Sequence, residues 1–224
     1  MRTAVVIGST GLIGEELVKK LASQGSWGSV LAVTRKSKTW SHPKIRNLVF
    51  DFSNWGDLEL QVKSFAGNSN LDFFCCLGTT LKAAGSEASF RKIDLEAVVL
   101  FAAMAHICRA EQLFVVSSLG ANLNSKLFYN RIKGEMEKAV ALRYFGKIYF
   151  VRPSLLLGDR SEFRLAERLA MMLAPLYSIV LFGALEKFKP IRSVDVANAM
   201  ILVSSKNKKA SSIIENQELH ELNR

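Results

Sequence analysis

Short apolar runs and helix-spaced apolar positions alternate along the first two thirds of the chain. Residues 4–7 form an unbroken apolar run, after which Leu12, Ile13, Leu17, Val18 and Leu21 recur at helical spacing. Further strands are expected over 30–33, 45–50, 71–77, 113–116 and 148–151. Between them the spacing predicts helices over about 54–65, with Ser53 as the candidate cap, over 90–109, and from the segment around Tyr129 to about Tyr144. Unbroken apolar strands suit burial on both faces, and strands separated by helices pair in parallel. The pattern therefore predicts an α/β fold with a doubly wound parallel sheet, a Rossmann domain, over residues 1–152.

Beyond Pro153 the alternation weakens. A helix from about Glu162, an uncharged stretch over 169–185 and a short amphipathic helix over 194–203 are expected there. Residues 153–224 are read as a small substrate-side extension packed on the same domain, at the carboxyl ends of the strands where such sheets bind ligands. The uncharged stretch is short for a membrane span and is interrupted by Pro175, Ser178 and Gly183. Core and subunit interface, in a homodimer for example, are preferred to membrane contact.

Composition narrows the partners. Of 224 residues, 49% are hydrophobic and 22% charged, which describes a globular chain. The net charge of +10 invites nucleic acid, but the basic residues are dispersed, and the clusters at 35–38 and 206–209 lack interleaved aromatics, so no specific nucleic-acid role is expected. Cys75, Cys76 and Cys108 have no C-x-x-C spacing and His42, His106 and His220 are scattered, so no metal site is expected. The thiols suit a reducing compartment. Met1, Arg2 and Thr3 lead straight into an apolar run too short for a signal core, and a cytoplasmic location is expected.

Candidate chemistry begins between the first strand and the first helix, at Gly8-Ser9-Thr10-Gly11-Leu12-Ile13-Gly14. Glycines there permit a tight turn and close approach of backbone to a pyrophosphate, while the helix start offers unpaired N–H groups. The spacing is G-x-x-G-x-x-G, and its place between strand and helix makes it a dinucleotide loop. After the second strand, an NAD-binding chain would carry a carboxylate for the ribose hydroxyls. Here Thr34-Arg35-Lys36 follows, and these two cations suit the 2′-phosphate of NADP(H).

Several stretches in order, GSTGLIG, Asp51-Phe52, Val115-Val116-Ser117-Ser118, Tyr129-x-x-x-Lys133, Arg152-Pro153 with Gly158, and Val194-Asp195-Val196-Ala197, resemble an extended or atypical short-chain dehydrogenase/reductase. Within that family the sequence is most similar to the Tat-interactive-protein-like group, whose members match Cys75-Cys76-Leu77-Gly78-Thr79-Thr80, Ser117 to Ala121 and Leu157 to Arg160. The resemblance implies a Ser-Tyr-Lys site. Tyr129 would be the general acid/base, Lys133 would supply the ammonium that favours its phenolate and would bond the nicotinamide ribose, and Ser118 would hold the substrate oxygen. It also implies that residues 10–13 touch the pyrophosphate, Asp51 the adenine, and Leu77, Gly78 and Thr79 the ribose and nicotinamide side. Residues from Pro153 to Leu157 would run past the nicotinamide. The chain departs from the family's pattern at Asp94, where many extended members carry an Asn that supports the catalytic Lys.

Three functions follow from the resemblance. The first is an NADP(H)-dependent oxidoreductase acting on a small carbonyl or alcohol. The second is an NADP(H)-binding redox sensor that controls a protein partner without turnover. The third is a sugar-nucleotide epimerase or dehydratase, for which the substrate region is short.

Overall fold

The computed structural model describes residues 1–157, 187–205 and 211–224. Its main sheet has seven strands: β1 Arg2–Ile7, β2 Trp27–Thr34, β3 Ile45–Val49, β4 Asn70–Cys75, β5 Gln112–Val116, β6 Lys147–Arg152 and β9 Ser211–Glu215. They lie in the order β3-β2-β1-β4-β5-β6-β9, and every pairing is parallel. Two short strands, β7 Leu156–Leu157 and β8 Ile191–Arg192, form a separate parallel pair. The helices are α1 Leu12–Ser23, α2 Trp55–Ala66, α3 Leu81–Ala84, α4 Glu87–Arg91, α5 Ala97–Ile107, α6 Phe128–Ala141, α7 Ser193–Ser205 and α8 Asn216–Glu221. This is the doubly wound α/β fold that the apolar pattern predicts.

The central strands read as largely apolar runs because both of their faces are covered. Val5 and Ile7 of β1, Leu31 and Val33 of β2 and Phe73 of β4 pack with Leu58 and Val62 of α2, Phe101 of α5 and Met136 and Val140 of α6. Their neighbours Ala4, Val6, Val30, Ala32 and Phe74 point the other way, onto Leu17 and Val18 of α1 and Val196 and Met200 of α7. Alternate residues thus feed two cores, one on each side of the sheet. Sequence order reverses direction between β1 and β4, which opens a crevice at their carboxyl ends.

Several local expectations are corrected. Asn54, not Ser53, caps α2, its side chain accepting the Asp57 N–H. The long helix expected over 90–109 is interrupted by a π-turn at Lys92–Glu96, in which the Ala97 N–H reaches back to the Lys92 carbonyl. β9 has no counterpart among the expected strands. It comes from the stretch read as a substrate-side extension and pairs with β6 from Ile148↔Ser211 to Arg152↔Glu215. Its register is held by Arg152, which bonds Glu137 of α6 and Glu215 of β9 together, the latter at 2.9 Å. The expected helix from Glu162, the uncharged stretch 169–185, Gly158 and the basic cluster 206–209 lie outside the described residues. Among the described residues no helix is long and apolar enough to cross a membrane, and no group of three or more His, Cys, Asp or Glu is placed to hold a metal ion.

Candidate active site

The glycine loop turns tightly between β1 and α1. Gly8 has φ +73°, a left-handed conformation that favours glycine, and the Gly11 N–H closes the turn on the Gly8 carbonyl at 3.0 Å. Helix α1 lies directly on this turn, since a Cβ at Gly14 would stand 2.2 Å from the Gly8 oxygen. Its first backbone bond runs from the Glu15 N–H to the Gly11 carbonyl, so the N–H groups of Leu12, Ile13 and Gly14 have no partner within the helix. These groups fit a pyrophosphate. Ser9 does something else: it is fully buried and its hydroxyl donates to the Val33 carbonyl at 2.7 Å, tying the loop to β2.

Arg35 and Lys36 follow the carboxyl end of β2, and both are exposed. Among the described residues neither takes part in an ion pair, whereas the nearby Lys38 Nζ meets Glu15 Oε2 at 2.8 Å. The turn that carries them is pinned by Asn47 of β3, whose Oδ1 accepts from the Thr34 hydroxyl, the Lys38 N–H and the Trp40 indole N–H. Asp51 lies two residues beyond β3 and accepts the Ser53 hydroxyl and N–H, which hold its carboxyl below the ordinary range. An open pocket of about 230 Å³ adjoins it, lined by Val49, Phe50, Ser53, Asn54 and Leu58 among others.

On the other flank of the crevice, Cys76 donates its N–H to the Ile7 carbonyl at 2.9 Å, which sets Leu77, Gly78 and Thr79 beside the glycine loop. Leu77 is buried and Gly78 exposed. The Thr79 N–H donates to Asp94 Oδ2 at 2.9 Å. Asp94 sits on the π-turn with no exposure at all, and its Oδ1 lies 2.8 Å from Lys133 Nζ. This second contact is charge against charge, with no donor aligned on Oδ1. Burial pulls the Lys133 ammonium down, but the Asp94 charge, Tyr129 and the contact to Asp94 outweigh it and leave the ammonium above its ordinary value.

Lys133 Nζ lies 5.9 Å from the centroid of the Tyr129 ring, which is 38% exposed and rests against Phe90 at 5.6 Å. The structure therefore brings Tyr129, Lys133 and Asp94 together. Ser118 is half-buried in the loop after β5 and makes one long bond, 3.4 Å, to the Leu119 carbonyl. The adjacent Ser117 is buried, and its hydroxyl has no hydrogen-bond partner among the described residues. The loop is held against α6 by the Asn122 N–H on the Asn130 carbonyl. Gly134 permits the approach, as a Cβ there would stand 2.5 Å from Leu123 N. Pro153 accepts the Leu119 N–H at 2.9 Å, joining the loops after β5 and β6, and Leu157 ends the short strand β7. Asn47 is a residue that the sequence did not single out; Asp94 stands out there only as a departure from the family's Asn and Ser117 only as the neighbour of Ser118, and the structure gives Asp94 the contacts to Thr79 and Lys133. For Asp94 a signal was available, an acid inside a run otherwise destined for the core.

A family model described as the NAD dependent epimerase/dehydratase family matches residues 4–122. The chain belongs to this family. Among its relatives, the protein FMP52-1, mitochondrial, of Scheffersomyces stipitis is 33% identical over 160 residues, covering 70% of this chain and 69% of the relative. The rat protein HTATIP2 is 30% identical over 169 residues, covering 75% and 69%. Among solved structures, a UDP-N-acetylglucosamine 4-epimerase from Bacillus cereus superposes with TM-score 0.69 at 13% identity, covering 96% of this chain and 79% of that one. MoeE5, solved with UDP-glucuronic acid and NAD, superposes with TM-score 0.68 at 15% identity, covering 95% and 75%. The likeness to the Tat-interactive-protein group read from the motifs is thus met by an epimerase/dehydratase-family chain on a shared dinucleotide-binding fold. The expectation of a cytoplasmic location is overturned: the Scheffersomyces stipitis and Candida albicans relatives are both named as mitochondrial.

Proposed function

We propose that this epimerase/dehydratase-family chain is an NADP(H)-dependent oxidoreductase that interconverts a small carbonyl compound and its alcohol. The observation that carries the reading is the buried Lys133 ammonium beneath the half-exposed ring of Tyr129. A phenol with an ammonium one helical turn away is suited to exchanging a proton with a substrate oxygen. Ser118 is the hydroxyl assigned to orient that oxygen. The free N–H groups of Leu12, Ile13 and Gly14 support pyrophosphate binding, with Gly8, Ser9, Thr10 and Gly11 shaping the turn. The exposed Arg35 and Lys36, in no ion pair among the described residues, support a 2′-phosphate, and hence NADP(H) over NAD. Asp51 is assigned to the adenine, Leu77, Gly78 and Thr79 to the ribose and nicotinamide side, and Pro153 to Leu157 to the nicotinamide flank. The dinucleotide, when bound, supplies or accepts the hydride.

The test is an NADPH-oxidation screen over small aldehydes, ketones and quinones, with Tyr129→Phe as control. Turnover should vanish in the variant while NADPH binding persists. Retained turnover would exclude Tyr129 as the acid. A second reading, a redox sensor acting on a protein partner, draws on the same ion pair, since Lys133 held by Asp94 also suits a chain that only grips its cofactor. NADPH binding without turnover of any carbonyl, and a partner captured in one redox state alone, would favour it.

A further inference from the structure

Residues 35–44 connect β2 to β3, and Arg35 and Lys36 stand at the start of this connection, both exposed. An exposed turn with two long cationic side chains samples many shapes unless something holds it, and ordering both cations on one phosphate then costs conformational entropy. Here one side chain of the neighbouring strand ties the turn down. Asn47 of β3 pairs with Ala32 of β2, and its Oδ1 accepts the Lys38 N–H at 3.2 Å and the Trp40 indole N–H at 3.3 Å. The same amide meets the Thr34 hydroxyl, with Oδ1 at 3.2 Å and Nδ2 at 3.0 Å. It therefore holds the residue just before the cations, Thr34, and two that follow them, Lys38 and Trp40.

The chemistry of the anchor fits its place. An amide is neutral and accepts these N–H groups without offsetting any positive charge. A carboxylate could accept the same groups, but it would put a negative charge on the strand that holds the cations' turn. Lys38 is engaged elsewhere, since its Nζ meets Glu15 Oε2 at 2.8 Å and lies 4.6 Å from the centroid of the Trp40 ring. Arg35 and Lys36, in no ion pair among the described residues, are the cations that the turn presents.

We propose that Asn47 is the positioning residue behind the preference for NADP(H) over NAD(H): by fixing the turn at Thr34, Lys38 and Trp40, it sets Arg35 and Lys36 toward one 2′-phosphate. Asn47 acts through the two cations. This rests on the reading of Arg35 and Lys36 as the 2′-phosphate site.

The experiment titrates NADPH and NADH by fluorescence against the wild-type chain, Asn47→Ala, Arg35→Ala/Lys36→Ala and the triple variant. Asn47→Ala should weaken NADPH by about fivefold or more and leave NADH nearly unchanged, so that the ratio of the two affinities falls. In the triple variant Asn47→Ala should add nothing to the loss caused by Arg35→Ala/Lys36→Ala, because a residue that acts through the cations has no effect once they are gone. A general loosening of the fold would weaken both dinucleotides alike. An unchanged ratio in Asn47→Ala, or a further selective loss of NADPH in the triple variant, would overturn the proposal. Should Asn47→Ala not fold, Asn47→Ser, which keeps a polar side chain at this position, decides on the same ratio: a lowered one supports the role and an unchanged one overturns it. If Arg35→Ala/Lys36→Ala leaves the ratio intact, the 2′-phosphate reading itself fails. A selective loss of NADPH there, with no change of ratio in Asn47→Ala, removes the role of Asn47 alone.

Discussion

The carbonyl oxygen of Gly8 faces the α-carbon of Gly14 so closely that a Cβ on Gly14 would lie 2.2 Å from it. Both sides of this contact are backbone, so neither can swing aside. Gly14→Ala must lift α1 off the turn, at an overpacking cost of about 1–3 kcal/mol. Thermal melting should show the loss of stability, and a fluorescence titration with NADPH should show weaker binding, because the N–H groups of Leu12 and Ile13 move with the helix. Unchanged NADPH affinity would separate this loop from the dinucleotide.

Arg35 and Lys36 stand exposed at the end of β2, without an ion-pair partner among the described residues, on a turn that Asn47 holds in place. Replacing both with Ala should weaken NADPH by about tenfold or more, the worth of one charge-assisted bond, and leave NADH nearly unchanged. Parallel titrations with the two dinucleotides check it. Equal losses for both would end the assignment to the 2′-phosphate.

Lys133→Met would strand the Asp94 carboxylate in the core beside a methyl group. Breaking a buried pair from one side costs about 3–5 kcal/mol, readable by urea unfolding, and Asp94→Asn/Lys133→Met should recover much of it. The pH dependence has a definite sign. The Lys133 ammonium is raised in the folded chain, so its contribution is fully present below the ordinary lysine value and is lost as pH rises through the raised one. Neutral and mildly acid conditions should leave it intact.

At the opposite end of the sheet, Asp72 is wholly buried and accepts the Trp27 indole N–H at 2.8 Å and the Gln112 amide at 2.9 Å, with Arg2 at 3.1 Å. Burial raises its carboxyl despite Arg2, Gln112 and Trp27. A raised carboxyl binds its proton more tightly in the folded chain. Its contribution to stability is therefore greatest below the ordinary carboxylate value and declines as pH rises through the raised one. Asp72→Asn should flatten that decline in a series of unfolding curves, while lowering stability throughout, since one amide oxygen must serve donors that two carboxylate oxygens now accept. An unaltered slope would assign the pH dependence to other groups.

Much of the fold was legible because burial on both faces leaves a local mark. The run at residues 4–7 is apolar without interruption because Val5 and Ile7 fill one core and Ala4 and Val6 the other. β9 left no such mark. Its residues Ser211 and Ser212 are polar, and it is a strand because β6 offers it an edge and Arg152 an ion pair with Glu215. The cap of α2 falls one position beyond the expected Ser53, as Ser53 and Asn54 are both good caps and only the Asp57 N–H chooses between them. The site divides likewise. Gly8, Gly14 and the pair Tyr129 and Lys133 stand at spacings that a turn or a helix imposes. Ser9 fits the loop by spacing yet points inward to Val33, which no neighbour in sequence reveals.

By itself, then, the sequence determined the layering of strands and helices, the tight turn after β1, and the common helix face of Tyr129 and Lys133, for each follows from how a few adjacent residues meet water or bend the backbone. The tertiary structure decided what those residues meet. Asp94, on a π-turn that no periodicity announced, reaches Lys133 on α6 and Thr79 beyond β4 because packing on one face of the sheet brings three distant segments together. Hydrophobic pattern records a side chain's preference for the interior, but the partner that satisfies a buried charge is chosen only when the helices pack.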